Sequence, residues 1–100
     1  MNIQNVSSLL GLAQKAGKIA SGELAVEKAV KSGKAKLIVI AADSSDGTKK
    51  RYHDMSQYYQ VPLYEVFTKQ QLGGCIGKEY RAALAIVDAG LSQAVLKALQ

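Results

Sequence analysis

Apolar positions along the chain switch between two periods. Val6, Leu9, Leu10 and Ala13 recur at helical spacing and predict a helix from about Gln4 to Lys15, closed by Gly17 in a left-handed cap. Lys18 to Ser21 is short and reads as an edge strand. Leu24, Ala25, Val26, Ala29 and Val30 give a second helix a broad apolar face; it opens at Ser21 or Gly22 and ends at Gly33. Leu37 to Ala42 is continuously apolar and β-branched, the pattern of a strand covered on both faces. Asp43, Ser44 and Ser45 are cap candidates for a third helix from about Asp46 to Tyr59. After Pro62, Leu63 to Phe67 reads as a strand. Thr68 and Gln71 have the spacing of a capping box and start a short helix through Leu72 and Cys75. Ala82 to Val87 is a second buried strand, and Leu91, Val95 and Leu99 mark a last helix from about Leu91 to Leu99.

Helix and strand alternate with short connections, which predicts a sheet between layers of helices. A purely parallel sheet is not required, and the edge strand near Ile19 is free to run antiparallel. Pro62 is the only proline, no linker divides the chain and no repeat recurs. Residues 1–100 are therefore expected to form one domain.

The net charge of +5 is compatible with a polyanionic partner and does not establish one. Cys75 is the only cysteine and His53 the only histidine, so neither an internal disulfide nor a Cys/His metal site is expected. The first residues carry no basic segment before an apolar one, and the longest apolar run is far short of the roughly 20 residues of a membrane helix. These features together point to a cytoplasmic protein that does not contact membranes.

Catalytic groups are scarce. His53 lies in the polar stretch Lys49 to Asp54 and reads as a surface residue. Cys75, between Gly74 and Ile76, reads as a small buried hydrophobe. Gly73, Gly74 and Gly77 lack the Gly-Lys-Ser/Thr ending of a phosphate loop. No enzyme and no cofactor is expected.

The lysines carry more information. Lys15, Lys18, Lys28, Lys31, Lys34 and Lys36 fall around the first two helices and the approach to the second strand. Lys28 and Lys31 share a helix face. The Ser21-Gly22-Glu23 turn offers backbone N–H groups at a helix start, where a phosphate could dock. On spacing alone, a solvated basic surface remains the better reading of these lysines.

At these residues the chain resembles a known family. Gly22, Lys28-Ala29-Val30, Gly33, Ala35-Lys36-Leu37-Ile38 and Asp43 match the signature of the kink-turn-binding ribosomal proteins of the L-seven-Ae and L-thirty-e type. Leu72-Gly73 and Ile76 to Ala83 resemble the family's loop before its last strand, and Val61-Pro62 also agrees. Leu9 to Lys18 and the Ser-Gly-Glu that follows are most similar to a small bacterial YlxQ-like group. The resemblance implies a three-layer α/β/α sandwich with a mixed, roughly four-stranded sheet. It also implies RNA binding at one end of the molecule. The partner expected is structured, ribosomal RNA, with other ribosome-associated proteins as further partners, and the chain is expected to be a monomer. Carried over, Gly22, Glu23 and Lys28 take the helix positions and Lys78, Glu79 and Tyr80 the loop positions; Ser21 belongs to the turn expected to approach the RNA backbone, and Lys31, Lys34 and Lys36 join Lys28 in holding phosphates.

One departure stands out. Family members usually place polar pairs, Asn-Glu or Lys-Gln, where this chain has Leu24-Ala25. Losing such a contact to a purine edge costs on the order of 1–3 kcal/mol. Glu23 is the candidate substitute, and Tyr80 is either a base-stacking residue or a half-buried tyrosine at a strand start. A protein-interaction adaptor on the same fold is the alternative reading. An enzyme's substrate-recognition fragment is a further one, since related folds precede RNA-methyltransferase domains.

Overall fold

The computed structural model describes residues 1–100. Its elements in chain order are α1 (Ile3–Lys15), β1 (Ile19–Ser21), α2 (Glu23–Lys31), β2 (Leu37–Ile40), α3 (Asp46–Tyr59), β3 (Leu63–Glu65), α4 (Lys69–Cys75), β4 (Ala83–Ile86) and α5 (Ala89–Leu99). The sheet order is β1-β4-β2-β3. β4 is antiparallel to both β1 and β2, whereas β2 and β3 are parallel. The sheet is therefore mixed, and β1 is the antiparallel edge that the sequence allowed.

The unbroken apolar runs of β2 and β4 follow from their central place. Successive side chains point to opposite faces. Leu37, Val39, Leu84 and Ile86 join one core with Val6, Leu10, Leu72 and Val95 from α1, α4 and α5 and with Ile76, the C-cap of α4. Ile38, Ile40, Ala83 and Ala85 join the other with Val26, Val30, Tyr52 and Met55 from α2 and α3. Every residue of β2 and β4 is buried. The result is a three-layer α/β/α sandwich. The alanines of β4 face α2 and leave room for that helix to lie close to the sheet. Tyr52 fills the α2–α3 layer, fully buried, with no hydrogen bond to its hydroxyl. Burial pushes its phenol pKa up, opposed by the Arg51 guanidinium 5.2 Å from the ring.

Four of the five helix starts follow side-chain caps. Ser45 accepts from Thr48 N–H at 3.2 Å, and Thr68 with Gln71 completes the capping box of α4. Two helices begin earlier than apolar periodicity indicates. Asn2 accepts from Asn5 N–H at 3.1 Å, so α1 includes Ile3. Asp88 accepts from Leu91 N–H at 2.8 Å, so α5 starts at Ala89 and not at Leu91. The strands are shorter than the apolar runs. β2 stops at Ile40, although Ala41 N–H still reaches Ala82 O at 2.8 Å, and β3 stops at Glu65.

His53 is exposed and lies 2.6 Å from Glu65 across the α3–β3 contact. That hydrogen bond, with Lys49 nearby, holds the Glu65 carboxyl below the usual carboxylate range. Cys75 is half-buried with its Sγ 3.3 Å from Ser7 Oγ. Both residues are accounted for by packing and pairing.

Candidate nucleic-acid interface

The candidate residues sort onto the two ends of the sheet. At one end β1 finishes, α2 begins, β2 finishes and β4 begins. Ser21 pairs with Leu84, and Gly22 N–H continues the ladder to Ala83 O at 3.1 Å. The turn is thus an extension of the sheet, and α2 starts one residue later than the sequence suggests, at Glu23. Gly22 is its N-cap at φ 90°, ψ 156°, a conformation open in practice only to glycine. Its own N–H is consumed by the sheet. The open donors are those of the first helical turn, Glu23 to Ala25, with no capping side chain over them. The helix dipole favours an anion there.

The segment Gly77 to Arg81 sits beside this turn because β4 lies next to β1. Three backbone bonds hold it to α4: Gly77 N–H donates to Gly74 O at 3.3 Å, Lys78 N–H to Gly73 O at 2.8 Å and Arg81 N–H to Lys69 O at 3.1 Å. Within the segment, Arg81 Nη1 donates to Tyr80 O at 2.7 Å. Arg81 Nε also reaches Ser21 Oγ at 3.5 Å, linking the loop to the end of β1. Asp43, just beyond β2, accepts from Lys69 N–H at 2.8 Å and so anchors the start of α4 under the same loop. Tyr80 projects from this frame at 62% exposure, which removes the half-buried alternative. Gln70, Gly74, Lys78, Glu79 and Tyr80 line a cleft of about 580 Å³.

Leu24 is 85% exposed beside the turn and is no part of the core. It shares an exposed face of α2 with Glu27, Lys28 and Lys31. Lys31 Nζ is bound to Glu27 at 2.7 Å, and this bond lowers the Glu27 pKa and raises that of Lys31. Lys28 has no acidic partner. Lys28 lies about 7.5 Å along the helix from Glu23 and Lys31 about 12 Å.

Lys34 and Lys36 are elsewhere. They follow the C-terminal end of α2, and Lys36 N–H donates to Ile86 O at the far end of β4. The sheet separates them from Gly22 and Tyr80. One end of the molecule therefore gathers Ser21, Gly22, Glu23, Lys78, Glu79, Tyr80 and Arg81, with Lys28 along the adjoining helix. Arg81 was not among the sequence candidates. Its partner Ser21 is 60 positions away, and only the antiparallel pairing of β1 with β4 brings them together. No three of the His, Cys, Asp and Glu side chains converge in a way that could hold a metal ion. No helix is long and apolar enough to cross a membrane.

The chain is similar to known proteins over most of its length. Over 92% of its length the chain is 39% identical to an RNA-binding protein YlxQ of Enterococcus faecium, covering 88% of that protein. It is 40% identical to the RNA-binding protein YlxQ of Bacillus subtilis, over 91% of each chain. A solved structure of a Bacillus halodurans protein of unknown function superposes with a TM-score of 0.91 at 37% identity, covering 94% of this chain and 95% of that one. Residues 4–96 match the ribosomal protein L7Ae/L30e/S12e/Gadd45 family, and the chain belongs to that family.

Proposed function

We propose that this protein binds structured RNA with the end of the sheet that carries Gly22 and Tyr80, as a ribosomal or ribosome-associated protein without catalytic activity. One observation carries this reading: an uncapped helix start, a held arginine and an exposed tyrosine converge on one face. The similarity to RNA-binding YlxQ proteins supports it. Each group has a distinct task. The Glu23 to Ala25 N–H groups receive a phosphate of a sharply bent backbone, which reaches them because Gly22 has no side chain. Lys28, Lys78 and Arg81 neutralise flanking phosphates. Tyr80 stacks on an unpaired base, worth roughly 1–3 kcal/mol. Glu23, with Glu79 in the loop, accepts from base amino groups, the polar work that Leu24 and Ala25 cannot do. Unpaired bases and a bent backbone occur together in kinked RNA, and that geometry is the preferred ligand over a straight duplex, whose bases are stacked.

The exposed Leu24 favours a second reading, in which the α2 face meets a protein partner within the same ribonucleoprotein. A single pair of substitutions separates the two. Leu24→Asn with Ala25→Glu replaces exposed side chains, so stability should change by less than about 0.5 kcal/mol. In titrations against kinked, duplex and single-stranded RNA, the double variant should bind kinked RNA at least roughly 5- to 150-fold more tightly, the equivalent of 1–3 kcal/mol for one restored polar contact. A folded variant that binds kinked RNA no better than the parent contradicts the helix register and favours the protein-partner role for this face.

A further inference from the structure

Lys34 and Lys36 are left over by the interface above, and their surroundings form a second site. The C-terminal ends of α2 and α3 meet at the opposite end of the sheet around a recess of about 320 Å³. Lys31, Lys36, Tyr59, Gln60, Val61 and Pro62 are part of its lining, and no carboxylate is. Lys34 is exposed beside it, next to Gly33 in the lining. Neither Lys34 nor Lys36 has an acidic partner, whereas Lys31 is engaged by Glu27. The floor is apolar, with Val61 and Ala35 buried. The wall is aromatic. Tyr59 is 38% exposed and braced by Tyr58, 80% exposed, in an edge-to-face pair with centroids 4.8 Å apart.

The frame is fixed. Lys34 N–H donates to Ala29 O, Lys36 N–H to Ile86 O and Ile38 N–H to Pro62 O, all within 2.9 Å. α3 ends in a left-handed Gln60, so carbonyls of its last turn lack intrahelical donors.

We infer that this recess is a separate binding site for single-stranded RNA. Free lysines, a braced aromatic wall, an apolar floor and no carboxylate in the lining are what a strand with a polyanionic backbone and planar bases requires. A base rests against Tyr59 over Val61, its amino groups face the α3 carbonyls, and Lys34 and Lys36 hold the phosphates on either side. An acidic protein segment would use the lysines and leave the aromatic wall without a role. A purely structural role, with lysines offsetting the helix C-terminal dipoles, would leave both exposed tyrosines unexplained. β2 alone separates the two sites by about 13 Å, so one molecule holds two RNA segments at once.

The test uses the whole protein, a labelled short oligoadenylate and a kinked RNA, with anisotropy measured at several salt concentrations. Saturating kinked RNA should leave oligoadenylate binding in place. Lys34→Ala with Lys36→Ala should weaken oligoadenylate binding and flatten its salt slope by about 1.4 units, the value for two single-strand phosphate contacts. Tyr59→Ala should weaken it roughly 5- to 150-fold with the slope kept, the equivalent of one stacked base. Neither variant should alter kinked-RNA binding more than about twofold. Arg81→Ala should do the reverse. Oligoadenylate affinity within twofold of the parent in both recess variants overturns the site, as does displacement by kinked RNA or equal competition from polyglutamate. Loss of kinked-RNA binding by the unaltered protein would sink the interface at the other end and leave this site standing.

Discussion

Val39→Asp is expected to yield no folded protein. Val39 is fully buried in the middle of β2, with β4 on one side and β3 on the other. Its side chain enters the core built by α1, α4 and α5, where no basic group is present to pair with a carboxylate. Burying an unpaired carboxyl costs several kcal/mol even when the group protonates, and the packing of the two valine methyls is lost as well, a total comparable with the roughly 5–15 kcal/mol that holds a domain together. Circular dichroism and thermal melting are the measurements. A soluble variant with native-like helix signal and a cooperative transition would contradict the layer assignment.

The second large effect is expected at Gly73, which the sequence marks only through the resemblance of Leu72-Gly73 to the family's loop. A Cβ there would lie 2.8 Å from Glu79 O, 2.9 Å from Glu79 C and 3.0 Å from Tyr80 N. All three are backbone atoms and cannot swing aside. The loop is held at Lys78 and Arg81, so the strain falls on Glu79 and Tyr80 between them. Gly73→Ala should cost roughly 1–3 kcal/mol of stability by overpacking. Because it displaces Tyr80, it should also weaken RNA binding by up to about 100-fold, the equivalent of a lost base stack. Gly74→Ala is the control, since a Cβ there meets nothing within 4 Å. Denaturant unfolding and RNA titration of the two variants check this. Equal behaviour of Gly73→Ala and Gly74→Ala would mean that Tyr80 is not positioned by this contact.

What the sequence made legible follows the range of the forces involved. α3 could be bounded at Asp46 and Tyr59, and the capping box at Thr68 and Gln71, because caps act within a turn. Apolar spacing starts α5 at Leu91, two residues late, because it does not register the cap by which Asp88 accepts from Leu91 N–H. The central position of β2 and β4 was legible because burial on both faces leaves no polar alternation. Their antiparallel pairing was not, since it rests on contacts far apart in the chain. The same limit applies to the interface. Gly22 and Tyr80 could be named from local patterns and family resemblance. Arg81 could not, because its link to Ser21 exists only through strand pairing. Lys34 and Lys36 lie close to Lys28 in sequence, yet they follow the end of the nine-residue α2 and so sit at the other end of the molecule.

The proposed interface requires that RNA meet a defined face and not be held by general positive charge. The most direct test is titration of kinked RNA at several salt concentrations with the parent, Lys28→Ala, Tyr80→Ala and Lys97→Ala. Lys97 is an exposed lysine on α5, across the sheet from α2. Lys28→Ala should weaken binding and flatten the salt slope by roughly one unit, because one phosphate contact and its counterion release are lost. Tyr80→Ala should weaken binding with the slope nearly unchanged, and Lys97→Ala should match the parent. Equal effects of Lys28→Ala and Lys97→Ala, or no binding at low salt by the folded parent, would contradict the assignment of this face to RNA.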